Sequence, residues 1–512
     1  MKQVKHLSWT FIALCVLASC SGKAVTAHRA DLGIARQSVN SEFSKTLTGR
    51  VTVDGQPRRG VVVSDGVNVI ATDNKGEYKM HTKGRQHVFI SVPEDCEIPV
   101  SNGLPYFYRT IDSGDSTDIR RDFELVSAPK KSVWTLFTMA DPQIGSEKDL
   151  AEYKEMLPRM AEFTSTLPGP VYGIGLGDLV WNTPQYFSTY ATTIPDVSVP
   201  MFSVIGNHDH NENVKNDTDS DREFRDALGP TYYSVNIGDC HLIVLDDILY
   251  SGIKNRNDYS GTLTDAQLEW LRKDLSYVDH DKTLIIGLHI PTQRRNAPGH
   301  LSNNQALYDL VKDYNDVQIL SGHTHYHFTT TIADNITETT FASAMGAFWY
   351  PLCNDGSPRG YGALEFDGNR LVNKYFVGDG CDRNYQMKLY LPEDAVLWNP
   401  EKNPGDPYDK ILANIFCWHE DWKVEVKEDY GVWMVLSEDA RLIPSQNGGK
   451  CWDPDVRKCL VDGVIPANHK GSAPAHKNDH MFLYTPKEGW KSVMFRATDS
   501  FGNTYTDTLH NK

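Results

Sequence analysis

Five short apolar runs in this 512-residue chain each stop at residues that bind divalent metals well. They end at Asp141, at Asp178, at Asn207 and His208, at His289, and at His323 with His325. Carboxylate, amide and imidazole groups gathered from several runs suit a pair of divalent cations about 3.5–4 Å apart, an arrangement that serves in-line displacement at phosphorus. The chemistry implied is hydrolysis of a phosphoester.

The elements that must bring these residues together are legible as patterns. Strands buried on both faces read as continuous Val/Ile/Leu stretches, so Val133–Met139, Val171–Leu176, Met201–Ile205, Thr283–Leu288 and 317–320 are expected core strands. Their C-terminal ends then share one edge of the fold. Helical patterns alternate with them between about 130 and 380. One is Asp149–Thr166, which Pro158 should kink or break. Another is capped by Thr264, with Gln267 at capping-box spacing and Leu268, Leu271 and Leu275 on one face. An antiparallel pair is expected at Tyr232–Asn236 and His241–Asp246, and the whole reads as a layered α/β sandwich.

Taken in order, these residues resemble a calcineurin-like metallophosphoesterase over roughly half the chain. Asp141 lies in Asp141-Pro142-Gln143, Asp178 in Gly177-Asp178, and Asn207 in Gly206-Asn207-His208-Asp209. His289 precedes Pro291 by two, and the last motif is Gly322-His323-Thr324-His325. The resemblance implies a four-layer α/β/β/α fold holding two divalent metal ions. Asp178 bridges them, Asp141 and His325 complete the first site, and Asn207, His289 and His323 complete the second. It implies attack by a metal-bridging hydroxide, with His208 as general acid and Asp209 orienting its ring. One departure stands out: Gln143 occupies a position that the family commonly fills with His. An amide oxygen is a harder, weaker ligand than imidazole, so the first site should lean toward Mn²⁺, Mg²⁺ or Fe²⁺ over Zn²⁺, with manganese favoured. Gln143 either ligates or only hydrogen-bonds within the shell.

Softer candidates surround this set. Asn182 could reach the phosphoryl group or cap a loop. Arg294 and Arg295 could clamp phosphate or form a solvated basic pair. The stretch Phe348-Trp349-Tyr350, with Asn354, Asp355, Arg359 and Tyr361, could form a substrate-facing rim or pack against the C-terminal domain. His327, His241 and His419 read as structural.

The flanks are different in character. From Leu47, Gly49–Val53, Val61–Ser64, Val67–Thr72, Glu77–His81 and His87–Val92 are separated by Asx-Gly turns, which indicates a small β-sandwich over 46–128 that resembles transthyretin-like modules. After the 130–380 domain, residues 381–512 read as a second β-sandwich. At the N-terminus, Lys2, Lys5 and His6 precede an apolar stretch too short to span a bilayer, and Leu17-Ala18-Ser19-Cys20 resembles a lipobox. Residues 1–20 are therefore expected to be a lipoprotein signal peptide and 21–45 a tether, placing the protein outside the cytoplasm on the membrane through lipidated Cys20. Seven of the nine cysteines would remain besides Cys15 and Cys20, with Cys451 and Cys459 the most local disulfide candidate.

A formal net charge of −16 argues against a nucleic-acid polymer as partner, since such binding relies on Lys and Arg neutralising phosphates. A small phosphoester or an envelope phosphodiester is the expected substrate. The alternative is a catalytically weakened lipoprotein that recognises a glycan or phosphorylated envelope polymer. The sequence leaves oligomeric state open.

Overall fold

The computed structural model describes residues 45–82, 86–111, 118–255, 257–294, 300–346, 349–443, 451–462 and 478–511. The expected signal peptide, tether and Cys20 lie outside them.

Two mixed sheets form the centre. The first runs in the order Met201–Val204, Val171–Leu176, Val133–Met139, Gly360–Asp367, Arg370–Gly378, its first three strands parallel and its last two antiparallel. The second runs Tyr233–Ile237, Cys240–Val244, Thr283–Gly287, Asp316–Ser321, Ile336–Thr340, Phe328–Ala333. Four of its strands are parallel. All five ligand-bearing runs are strands here, and each parallel strand is almost wholly buried, as a sheet covered on both faces requires. The sheets meet face to face, so closely that a Cβ added at Gly287 would lie 2.6 Å from Ile174 Cδ1.

Helices cover the outer faces, completing the four layers. Glu147–Ser165 packs Tyr153, Met156, Leu157 and Met160 against the first sheet. Pro158 lies inside this helix without ending it. The reason is placement: Pro158 is exposed, so the carbonyl deprived of its N–H partner is on the solvent side. Asp265–Leu275 and Asn304–Val311 cover the second sheet with Trp270, Leu271, Leu307 and Val311. Thr264 Oγ1 accepts from Gln267 N at 3.2 Å, as the spacing implied. The Gln267 side chain does not close the capping box; it bonds the backbone N and O of Asp246 instead, at 2.8 and 2.6 Å.

The described N-terminal region forms two small sheets and a short two-stranded pair, Val100–Ser101 with Leu104–Pro105. Lys45–Val53 pairs antiparallel with Glu77–Thr82 and parallel with Asp118–Arg120 and Phe123–Leu125, while Val62–Ser64 lies between Val69–Ala71 and His87–Ile90. This region shares a core with the centre. Phe107 meets Tyr233 with ring centroids 4.7 Å apart, and Trp270 Nε1 donates to Ser64 Oγ at 3.0 Å. The C-terminal region also builds two sheets, but adds a helix, Pro454–Val461, that hydrophobic alternation did not suggest. Its start is signalled locally, because Asp453 Oδ1 accepts from Asp455 N and Val456 N and Pro454 follows the cap. No disulfide joins the seven described cysteines, Cys451 and Cys459 included.

Candidate metal centre

The parallel strands of both sheets deliver their C-terminal ends to one edge, where the five motifs converge. Asp178, His289 and His323 place ligand atoms within 4.8 Å of one another. His289 Nε2 lies 3.3 Å from Asp178 Oδ2, 3.2 Å from Asn207 Oδ1 and 3.3 Å from His323 Nδ1. On the other side of Asp178, His325 Nε2 lies 3.3 Å from Asp141 Oδ1 and 3.3 Å from Gln143 Nε2. Gln143 Nε2 donates to Asp178 Oδ2 at 2.9 Å. The residues thus fall into two groups that share Asp178.

Backbone groups fix the orientation of this set. His323 N–H donates to Asp141 Oδ2 at 2.9 Å and His208 N–H to Asp178 Oδ1 at 2.8 Å. His289 Nδ1–H donates to Leu176 O at 2.8 Å, which turns Nε2 toward the cluster. Six site residues, Asp141, Gln143, Asp178, Asn182, His323 and His325, hold φ between 43° and 68°. Left-handed residues other than glycine cost on the order of 1 kcal/mol each, and the packing around the strand ends must sustain that strain. Two motif glycines are required by close approach. A Cβ at Gly206 would lie 2.2 Å from Asp178 N, and one at Gly322 would lie 2.6 Å from Asp141 Oδ2.

Charge is concentrated and buried here. Burial pushes the Asp178 carboxyl up, but the imidazoles of His289 and His208 outweigh it and hold it well below the usual range. Burial likewise lowers His289, yet the Asp178 carboxylate wins and raises it to about 10. Burial, then the neighbouring His289, holds His323 well below its ordinary value. Asp141 Oδ1 and Gln143 Oε1 are buried and accept no hydrogen bond among the described residues. Two carboxylates, three imidazoles and the amides of Gln143 and Asn207, the first with its oxygen unsatisfied among the described residues, form a donor set suited to divalent cations. As placed, the amide nitrogen of Gln143 faces Asp178, so coordination through its oxygen requires the amide to turn over.

Several expected roles change. Asp209 does not orient the His208 ring: its Oδ1 accepts from Val180 N at 2.9 Å and its Oδ2 from Gly206 N at 2.8 Å, which locks the third motif onto the second. Asn182 takes that orienting position, with Oδ1 3.1 Å from His208 Nδ1 and its own N–H donating to His208 O at 2.9 Å. Trp181 stacks on the same ring at 3.8 Å. Tyr361 is not on a substrate rim. Its strand places it under the outer helix, against Phe137 and Phe163 with ring centroids 5.5 and 5.2 Å away, 3 % exposed. Arg359 pairs with Glu152 and Asp379 on that same side. Arg294 lies near enough to His323 for its charge to lower that imidazole, while Arg295 and Phe348 lie outside the described residues.

Other residues that serve the site escaped the sequence reading. Buried Asp247 accepts from His289 N at 3.2 Å and Ile290 N at 2.7 Å. It follows Asp246 at the end of the mostly apolar run 240–245, a sixth run that stops at acids. Buried Glu338 accepts from Thr292 N at 2.9 Å, Gln293 N at 3.2 Å and Ser321 Oγ at 2.9 Å, bracing the turn after His289. Asn354, which the sequence placed on a rim or against the C-terminal domain, donates its N–H to His325 O at 3.1 Å.

Comparison with known proteins matches this geometry to a family. Residues 140–327 match the family described as Calcineurin-like phosphoesterase, residues 45–128 its N-terminal companion and residues 340–505 its C-terminal companion. The chain carries a calcineurin-like phosphoesterase domain. It is a phosphoric ester hydrolase, and the family implies divalent metal ions. A probable glycerophosphodiester phosphodiesterase of Arcobacter nitrofigilis is 27% identical over 216 residues, covering 40% of this chain and 76% of that protein. Among solved structures, a dimetal phosphatase from Danio rerio aligns with 14% identity and a TM-score of 0.34, over 48% of this chain and 99% of that one. A Haemophilus influenzae NAD nucleotidase aligns with 10% identity and a TM-score of 0.29, over 48% of this chain and 49% of that one.

Proposed function

We propose that this calcineurin-like enzyme is a dinuclear phosphodiesterase, with Asp141, Asp178 and His325 holding one cation and Asp178, Asn207, His289 and His323 the other. The observation that carries this is the sharing of Asp178 between two groups of buried ligand atoms, each with an oxygen or nitrogen turned inward. Bound cations, with manganese favoured, supply Lewis-acid activation of water and of phosphoryl oxygens. His208 protonates the leaving oxygen. Asn182 accepts from its Nδ1 and Trp181 stacks on its ring, which together hold the imidazole in position for that transfer. General-acid catalysis of this kind contributes roughly 10²–10⁴-fold, and is worth most where the leaving group is an alkoxide, which favours a diester. The probable phosphodiesterase among the relatives supports the same preference. Arg294 adds positive charge beside His323, suited to the substrate phosphoryl group.

Manganese-dependent hydrolysis of bis(4-nitrophenyl) phosphate and 4-nitrophenyl phosphate tests this, with Asp178→Asn and His208→Ala as controls. The diester should turn over faster, Asp178→Asn should abolish both, and His208→Ala should lose at least about 100-fold on the diester. Turnover no greater than that of the variants, with any divalent metal, leaves the weakened binding lipoprotein as the reading. The proposed site of action is the cell envelope, through lipid on Cys20. Cys20→Ser should move the protein from the membrane pellet to the soluble fraction.

A further inference from the structure

A cavity of about 280 Å³, lined by none of the proposed metal ligands, lies where strands of both central sheets meet the C-terminal region. Thr339, Phe376 and Lys374 of the central sheets line it together with Trp422, Phe501 and Tyr505 of the C-terminal region. Trp422 and Tyr505 stack at 5.9 Å with their planes 26° apart.

Lys374 is the unusual member. Its Nζ donates to Thr339 Oγ1 at 2.7 Å and makes no ion pair among the described residues. Asp316 and Asp421 also line the cavity, but each has a partner: Asp316 Oδ1 accepts from Gln318 Nε2 at 2.7 Å, and Asp421 Oδ2 lies 3.1 Å from His419 Nδ1. Cys417, nearby, is kept a neutral thiol by burial. Lys374 is half-buried, and burial lowers it to about 8 although the nearby Asp316 and Asp421 carboxylates oppose that shift. Of its three N–H donors, one is used among the described residues. Aromatic side chains lining one cavity with such a donor favour a flat ring over a bare ion.

We propose that this cavity binds a small ring-bearing oxyanion, its carboxylate or phosphoryl oxygens on Lys374 Nζ and its ring against Trp422, Phe501 and Tyr505. The site is separate from the phosphoesterase centre and does not depend on what that centre hydrolyses.

Calorimetric titration of the full chain with benzoate and with phenylphosphonate tests it and distinguishes the two anions. Acetate and inorganic phosphate serve as ring-free controls, and benzamide as the uncharged one. One or both ring anions should bind at a single site with Kd at or below about 1 mM, at least about tenfold tighter than any control. Lys374→Met and, independently, Thr339→Val with Trp422→Leu should each weaken that binding at least about tenfold while diester hydrolysis persists. Asp178→Asn should leave it unchanged. The proposal fails if neither ring anion exceeds the controls, if binding survives both cavity variants, or if Asp178→Asn abolishes it, since the anion would then be in the phosphoesterase centre.

Discussion

Gly206 shows how little freedom the centre has. A Cβ there meets backbone and carboxylate atoms of Asp178, not the end of a flexible chain, so nothing nearby can yield. Gly206→Ala should therefore displace Asp178, with loss of bound metal measured by elemental analysis and near-complete loss of turnover, while circular dichroism stays close to that of the parent. Asn182→Ala is the complementary case. It removes the acceptor from His208 Nδ1 without touching a proposed ligand, so kcat on the diester should fall about 10–100-fold with metal content unchanged. A fall in metal content instead would place Asn182 among the ligands. The types and order of the ligands were readable in the sequence because each motif is contiguous. That Asn182 and not Asp209 faces the His208 ring was not, because the choice depends on how two loops from neighbouring strands cross.

At the scale of elements, the C-terminal region grips the loop that carries the last two ligands. Asp355 O accepts from Asn414 Nδ2 at 2.8 Å and Asn478 Nδ2 at 2.7 Å, and its Oδ2 accepts from His327 N at 2.7 Å. The adjacent Asn354 N–H is bonded to His325 O. Removing both C-terminal amides, in Asn414→Ala with Asn478→Ala, should loosen this loop and weaken Mn²⁺ binding about 10–100-fold, read by electron paramagnetic resonance of free Mn²⁺. A lower melting temperature with unchanged Mn²⁺ affinity would mean the contact serves stability alone. The strands were legible because burial on both faces leaves unbroken apolar runs. Tyr361 was misassigned because in a strand alternate side chains face opposite sides, and only the pairing of Gly360–Asp367 beside Val133–Met139 decides which side Tyr361 takes.

For the molecule as a whole, pH acts through buried carboxyls. Burial raises Glu338 to about 7 from an ordinary 4.5. A carboxyl whose folded pKa is raised contributes stability that is complete below its unfolded value and is lost as pH rises through the folded one. Unfolding midpoints in denaturant should thus decline between about pH 4.5 and 7, and Glu338→Gln should make that decline shallower by at most one proton's linkage, about 1.4 kcal/mol per pH unit. An identical slope in both proteins would remove Glu338 from the account. Asp247, raised by burial to about 7, acts in the same direction and remains in the variant.

By itself the sequence determined the reaction class and the identity of the strands, since both are written in contiguous segments: ligand types in order, apolar runs, and caps such as Thr264. Tertiary structure decided everything that joins distant segments. Asp141 meets the His323 backbone across 182 positions, Asp355 meets Asn478 across 123, and Lys374 and Trp422 line one cavity though they come from separate regions. Local propensity acts over a few residues, whereas these contacts exist only once sheets pack, and packing is set by the summed burial of the whole chain.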